Sequence, residues 1–298
     1  MQAMSGDQVG LEVGRKRFLH PGPLRWLRAS AWMVVLFVVV SLVYAAVQLR
    51  GDPLTQSGGA LGVLTVAAIC LFGVILYAAI VRVTEDRWPE ELALRPALAE
   101  LAIGLAIGAA LLSAAVGGLY LLGVYEISGP RPASAWGAVS MAIQSGVMEE
   151  LMFRAVLMRL LMRAFGVWPS LVIQAALFGV VHLANPNATP VAAAAIAIEA
   201  GLMLAGFYLV TGRLWVSIGV HAAWNFTQGW IWGASVSGIP VVESWLVSNP
   251  KPGAPEFLSG GAFGPEASLP AMVVGTLAAV VTLWWAWKKG NLKPRADV

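Results

Sequence analysis

The chain has a single cysteine and three histidines in 298 residues, and only 12% of its residues are charged. The lone cysteine, Cys70, sits inside an apolar run, so neither an internal disulfide nor a cysteine metal cluster is open to it. Its expected role is small apolar filler. Soluble domains carry about 25% charged residues, and a chain with half that share cannot clothe an ordinary water-facing surface. What charge there is leans basic, 19 Lys and Arg against 16 Asp and Glu. Most of those basic residues flank apolar runs, and no basic patch is interleaved with stacking aromatics, so nucleic acid is not an expected partner.

What fills the chain instead is apolar: 58% hydrophobic residues and a mean hydropathy of +0.75. That composition excludes a disordered chain, a disulfide scaffold and a secreted enzyme, and identifies an integral membrane protein. A helix needs ~20 apolar residues to cross ~30 Å of hydrocarbon. Eight segments qualify: Ala31–Leu49, Gly59–Val81, Leu101–Tyr125, Ala135–Ala164, Val167–Ala184, Pro190–Val210, Arg213–Trp232 and Pro270–Trp287. None alternates apolar with polar residues, as strands of a membrane barrel do. The expected fold is therefore all-α, a polytopic bundle of about eight transmembrane helices.

Lys and Arg concentrate on the cytoplasmic side of membrane proteins. With the N-terminus inside, fifteen of them fall in cytoplasmic segments and three (Arg50, Arg131, Lys251) outside, Arg154 being left within a helix. Both termini are thus expected in the cytoplasm, in the cell membrane. The chain divides into a tail over 1–30, read as mobile up to residue 23, and three transmembrane helices over 31–134. A four-helix core follows over 135–232, then an outer Pro/Gly-rich loop over 233–269 with no evident core of its own, and a last helix with a basic tail over 270–298. Residues 82–100 read as a connector at the inner surface. No internal repeat of the secondary-transporter kind is present.

Ionisable groups inside a span are costly and mark functional sites by default. Here such groups, with two amides, gather in four successive helices: Gln144, Glu149, Glu150 and Arg154 in the fourth, His182 in the fifth, Glu199 in the sixth, His221 and Asn225 in the seventh. Glu150 and Arg154 are four apart and share a face, where they can neutralise each other. Glu149 points about 100° away and is free for another task. His221 and Asn225 are also four apart and present an imidazole and an amide to one small volume. Phe178 precedes His182 by the same interval and can wall the site. At ~1.5 Å per residue, Glu149, His182 and Asn225 reach a common depth near mid-membrane. Glu199 has no matching partner in the pattern.

These motifs, E-E-x-x-x-R at Glu149–Arg154, F-x-x-x-H at Phe178–His182 and H-x-x-x-N at His221–Asn225, resemble those of the CPBP family. These are the CAAX-protease and bacteriocin-processing intramembrane proteases, also called the Abi family, and the likeness spans Ala135–Gln228. The resemblance implies an intramembrane endopeptidase acting on membrane-associated proteins or peptides, with its active site in the bundle core. Glu149 would then activate a water as general base, with His182 holding that water. His221 and Asn225 would stabilise the oxyanion, and Glu150, Arg154 and Phe178 would support the site. No cofactor is the favoured reading. The alternative makes Glu149, His182 and His221 ligands of a divalent metal such as zinc. Two other functions stay open at this stage: a bacteriocin-immunity or binding protein with little proteolysis, and a proton-coupled transporter.

Overall fold

The computed structural model describes residues 10–57 and 59–293 of the chain. It is an all-α bundle built from α1 (Arg25–Ser57), α2 (Gly59–Thr84), α3 (Ala97–Leu121), α4 (Trp136–Gln144), α5 (Arg159–Phe165), α6 (Val167–Val181), α7 (Pro190–Ile196), α8 (Met203–Thr211), α9 (Trp215–Phe226), the short α10 (Glu256–Ser259) and α11 (Leu269–Lys288). Six helical stretches are long and apolar enough to cross a membrane, over residues 25–49, 59–84, 97–121, 167–184, 190–211 and 269–288. The other two expected spans, 135–164 and 213–232, are helical as well. Wide π turns interrupt both, at Ser145–Glu149, Leu151–Met158 and Thr227–Ile231; the first carries five charged side chains and the second is short, helical only over residues 215–231, so neither qualifies by length and apolarity.

The distribution of apolar side chains explains the arrangement. On α1, α2, α3 and α11 large apolar residues such as Leu42, Leu64, Phe72, Ile103, Leu277 and Val280 face outward. In a lipid solvent such a face needs no cover. The stretch from Leu151 to Ala164, by contrast, is buried along its whole length, charges included. The most polar helix is therefore the centre of the bundle, where its groups find protein partners instead of hydrocarbon.

Helix α9 is held close to α3 by small residues. A side chain at Gly104 or Gly108 of α3, or at Gly219 of α9, would collide with the backbone of the opposing helix. Small residues let membrane helices approach this closely, and the crossing fixes the height and rotation of His221 and Asn225. Between α8 and α9, Gly212 has φ of +68° and closes the C-terminus of α8, a left-handed cap that glycine accepts without strain.

The end of the bundle that carries the N-terminal segment is tied by buried ion pairs. Arg159 donates to Glu85 (2.9 Å) and to the carbonyl of Val13 (3.1 Å), and Arg163 donates to the carbonyl of Leu19. Arg87 joins Glu85 (2.7 Å) and Glu91 (2.8 Å), and Tyr77 donates to Glu91. Burial alone would raise the Glu91 carboxyl, but Arg87 outweighs it and holds the group down at about 2. This network corrects the reading of residues 10–23 as a mobile tail: Leu11, Val13 and Leu19 are buried against the bundle, because arginines ending a buried helix need carbonyl acceptors and this segment supplies them. Residues 1–9 lie outside the described residues.

The outer loop also departs from expectation. Two short strands, β1 (Tyr125–Ser128) and β2 (Val247–Pro250), pair antiparallel with Tyr125 opposite Pro250. The loop between α9 and α11 buries Ala234, Val236, Phe263, Glu266 and Ala267. Asn187 donates to the carbonyl of Gly238 (3.1 Å), and Gly238 N–H donates to the carbonyl of Phe263 (2.7 Å). Its proline and glycine content builds a folded cap over the opposite end of the bundle.

Candidate active site

The motif residues meet as their spacing requires. Arg154 donates to Glu150 Oε1 at 2.9 Å, and both side chains are fully buried. The same Oε1 lies 2.9 Å from His221 Nδ1, so Glu150 joins the guanidinium to the imidazole of α9. Arg154 also donates to the carbonyls of Ala200 and Gly201, at 3.2 and 3.3 Å. Its guanidinium lies over the Phe178 ring at 4.7 Å. Phe178 in turn packs against His182 at 4.8 Å and His221 at 6.1 Å between ring centroids. The aromatic ring thus packs against the guanidinium and both imidazoles at once.

The tautomers follow from the partners. His182 Nδ1 is 2.6 Å from the carbonyl of Phe178, which can only accept, so Nδ1 carries the proton and Nε2 is left for the site. His221 Nδ1 likewise gives its proton to Glu150. Its Nε2 faces Glu149, whose Oε2 is 3.9 Å away. Asn225 Nδ2 donates to Ser145 Oγ at 2.9 Å, which fixes the amide and leaves its second N–H unused by that bond.

Glu149 is reached from a helix without any motif: Tyr44 of α1 donates its hydroxyl to Glu149 Oε1 at 3.0 Å. Sequence reasoning missed Tyr44 and Ser145. For Tyr44 the signal was a phenol placed mid-span at no helical spacing from a motif residue, whereas Ser145 stands four residues before Glu149 and could have been found by that spacing.

His182, His221 and Asn225 line one cavity of about 20 Å³ together with Phe178, Glu199, Ser237 and Glu266. Such a volume holds a single water. Glu149 borders His221 from outside that lining. Glu266 and Ser237 belong to the outer loop and were not foreseen, since Pro/Gly-rich composition carries no hint of a carboxylate folded inward. Burial pushes the Glu266 carboxyl up to about 7, against hydrogen bonds from Ser237 and Gln228 that pull it down.

Among the described residues no three His, Cys, Asp or Glu side chains stand together so as to hold a metal ion. Of Glu149, His182 and His221, only Glu149 and His221 approach each other, at 3.9 Å.

Fold and site together define a polytopic membrane protein with paired acids, imidazoles and an amide converging in the middle of its bundle. Residues 131–227, about a third of the chain, match the family model "Type II CAAX prenyl endopeptidase Rce1-like", a CPBP-family model. The match covers all three motifs, over nearly the stretch on which the resemblance was read. It supports CAAX-type intramembrane protease activity in general terms, with a peptide or protein substrate in a membrane setting. No curated protein matches the chain.

Proposed function

We propose that the protein is an intramembrane endopeptidase in which Glu149 activates a water for attack on a peptide carbonyl, without a metal ion. Glu149 takes a proton from the water as its oxygen bonds to the carbonyl carbon, and returns it to the leaving nitrogen as the C–N bond breaks. His182, with Nδ1 committed to the Phe178 carbonyl, offers Nε2 to hold that water. Asn225 offers its free N–H to the oxyanion. His221 joins it through Nε2 when that nitrogen also carries a proton, and donors fixed in a dry site contribute far more than in water. Glu150 and Arg154 position His221. The substrate is a membrane-associated protein or peptide of CAAX type, in a cell membrane, with both termini of the enzyme cytoplasmic as the basic residues favour.

The observation that carries this reading is the placement of His221 between two acids of unlike situation. Glu150 is sealed against Arg154 and bonded to Nδ1, while Glu149 is partly open, 3.9 Å from Nε2 and held by one phenol. One acid is engaged in structure and the other is available for chemistry. The test is cleavage of a CAAX-type membrane peptide by the full chain in proteoliposomes. Glu149→Gln, nearly isosteric but unable to take the proton, should abolish cleavage while the protein stays folded. Activity within a few-fold of the parent would refute the assignment.

A further inference from the structure

The cavity holds two acids that the mechanism above does not use. Glu199, on the π turn Ala197–Leu202, is 1% exposed, and its Oε2 has no hydrogen-bond partner. Glu266 reaches the same cavity from the outer loop, accepting from the backbone N–H of Ser237. Among the described residues neither is paired with a Lys or Arg. Gly275 of α11 lies against Glu199, where any side chain would strike its Cβ and backbone, so α11 packs directly behind this cavity-lining residue. A buried acid with an empty acceptor is costly unless something supplies a donor.

We propose that Glu199 and Glu266 form a subsite for a primary amine, and specifically for the amino group that peptide-bond hydrolysis releases. The identity of the amine rests on the peptidase reading. The carbonyl oxygen held by Asn225 and His221 and the nitrogen of the same amide are only about 2.3 Å apart, as C=O and C–N bond lengths require. Since Asn225 and His221 line the cavity that Glu199 and Glu266 complete, the leaving nitrogen falls at its rim. The volume admits one water or one ammonium-sized group. Acids without a cationic partner favour the group that brings donors and positive charge.

The test needs no turnover. The tripeptide valyl-alanyl-leucine, with its amino group free or acetylated, is titrated calorimetrically against the full chain in detergent, in parallel with Glu199→Gln and Glu266→Gln. The expected result is at least tenfold tighter binding of the free amine by the parent, falling to within twofold in both variants. Thermal unfolding on the same samples checks that each is folded, and either variant alone suffices if the other is not. Equal binding of the two peptides by the parent, no binding of the free amine, or a preference retained in a folded Gln variant would overturn the proposal. Cleavage by Glu149→Gln at the parent's rate would refute the general-base mechanism and leave the binding result standing, so the two failures are distinguishable.

Discussion

Replacing Arg154 by Ala isolates what the buried pair contributes. The guanidinium donates at 2.9 Å to Glu150, caps the carbonyls of Ala200 and Gly201, and lies over Phe178. Its removal leaves a carboxylate in the bundle core whose remaining hydrogen-bond partner among the described residues is His221. Breaking a buried pair by losing one member costs about 3–5 kcal/mol, a large share of the stability of any domain. Arg154→Ala should therefore unfold at clearly lower temperature in detergent and lose cleavage, because Glu150 no longer holds His221 Nδ1 in one geometry. Arg154→Lys keeps the charge but not the planar fork, and should fall between. The assay is thermal unfolding with cleavage of the CAAX-type membrane peptide on the same preparation. An Arg154→Ala protein as stable as the parent yet inactive would refute the reasoning and put the guanidinium into the chemistry.

Other consequences can be measured as directly. Glu266 keeps its proton to about 7 in the folded protein against an ordinary 4.5, so between those values the folded state binds more protons than the unfolded chain. Its effect on stability is therefore most favourable below pH 4.5 and is lost as pH rises through 7, by at most about 3 kcal/mol; Glu266→Gln should flatten that fall in unfolding midpoints between pH 5 and 8. Glu91 works in the opposite sense. Held at about 2 against 4.5, it stabilises fully above pH 4.5 and loses up to about 3 kcal/mol as pH falls toward 2, a loss that Glu91→Gln should not show. Tyr44→Phe removes the hydroxyl on Glu149, and a bond to a charged group contributes about 1.5–3 kcal/mol. Cleavage should drop roughly tenfold to a hundredfold with the fold intact, and an unchanged rate would show that the contact is idle. Gly108→Leu should lower stability and cleavage together by forcing α9 off α3, while Gly117→Leu, with nothing within 4 Å, should change neither.

Much of this was legible because the informative interactions are local. Glu150 with Arg154, Phe178 with His182 and His221 with Asn225 are all four residues apart on helices, and that spacing alone decides which side chains share a face. Apolar run length likewise located six helices. It marked 135–164 and 213–232 as well, which are helical in the structure but are not among the six stretches long and apolar enough to span, because the first is too charged and the second too short. What stayed hidden depends on contacts distant in sequence. Tyr44 approaches Glu149 across 105 positions, and Val13 and Leu19 dock because Arg159 and Arg163 need acceptors. Glu266 enters the cavity because the outer loop folds back over it. Composition describes such a loop as turns and cannot say which of its acids will point inward. Glu199 was visible as a polar residue out of place, and its partner lay in that loop.

The claim that Glu149 activates water without a metal ion is tested most directly by one measurement: turnover of the membrane peptide by the reconstituted full chain after exhaustive chelation, with metal content determined on the same sample. The account predicts undiminished turnover in metal-free protein and none in Glu149→Gln. Complete loss on chelation, restored by one equivalent of zinc, would contradict it.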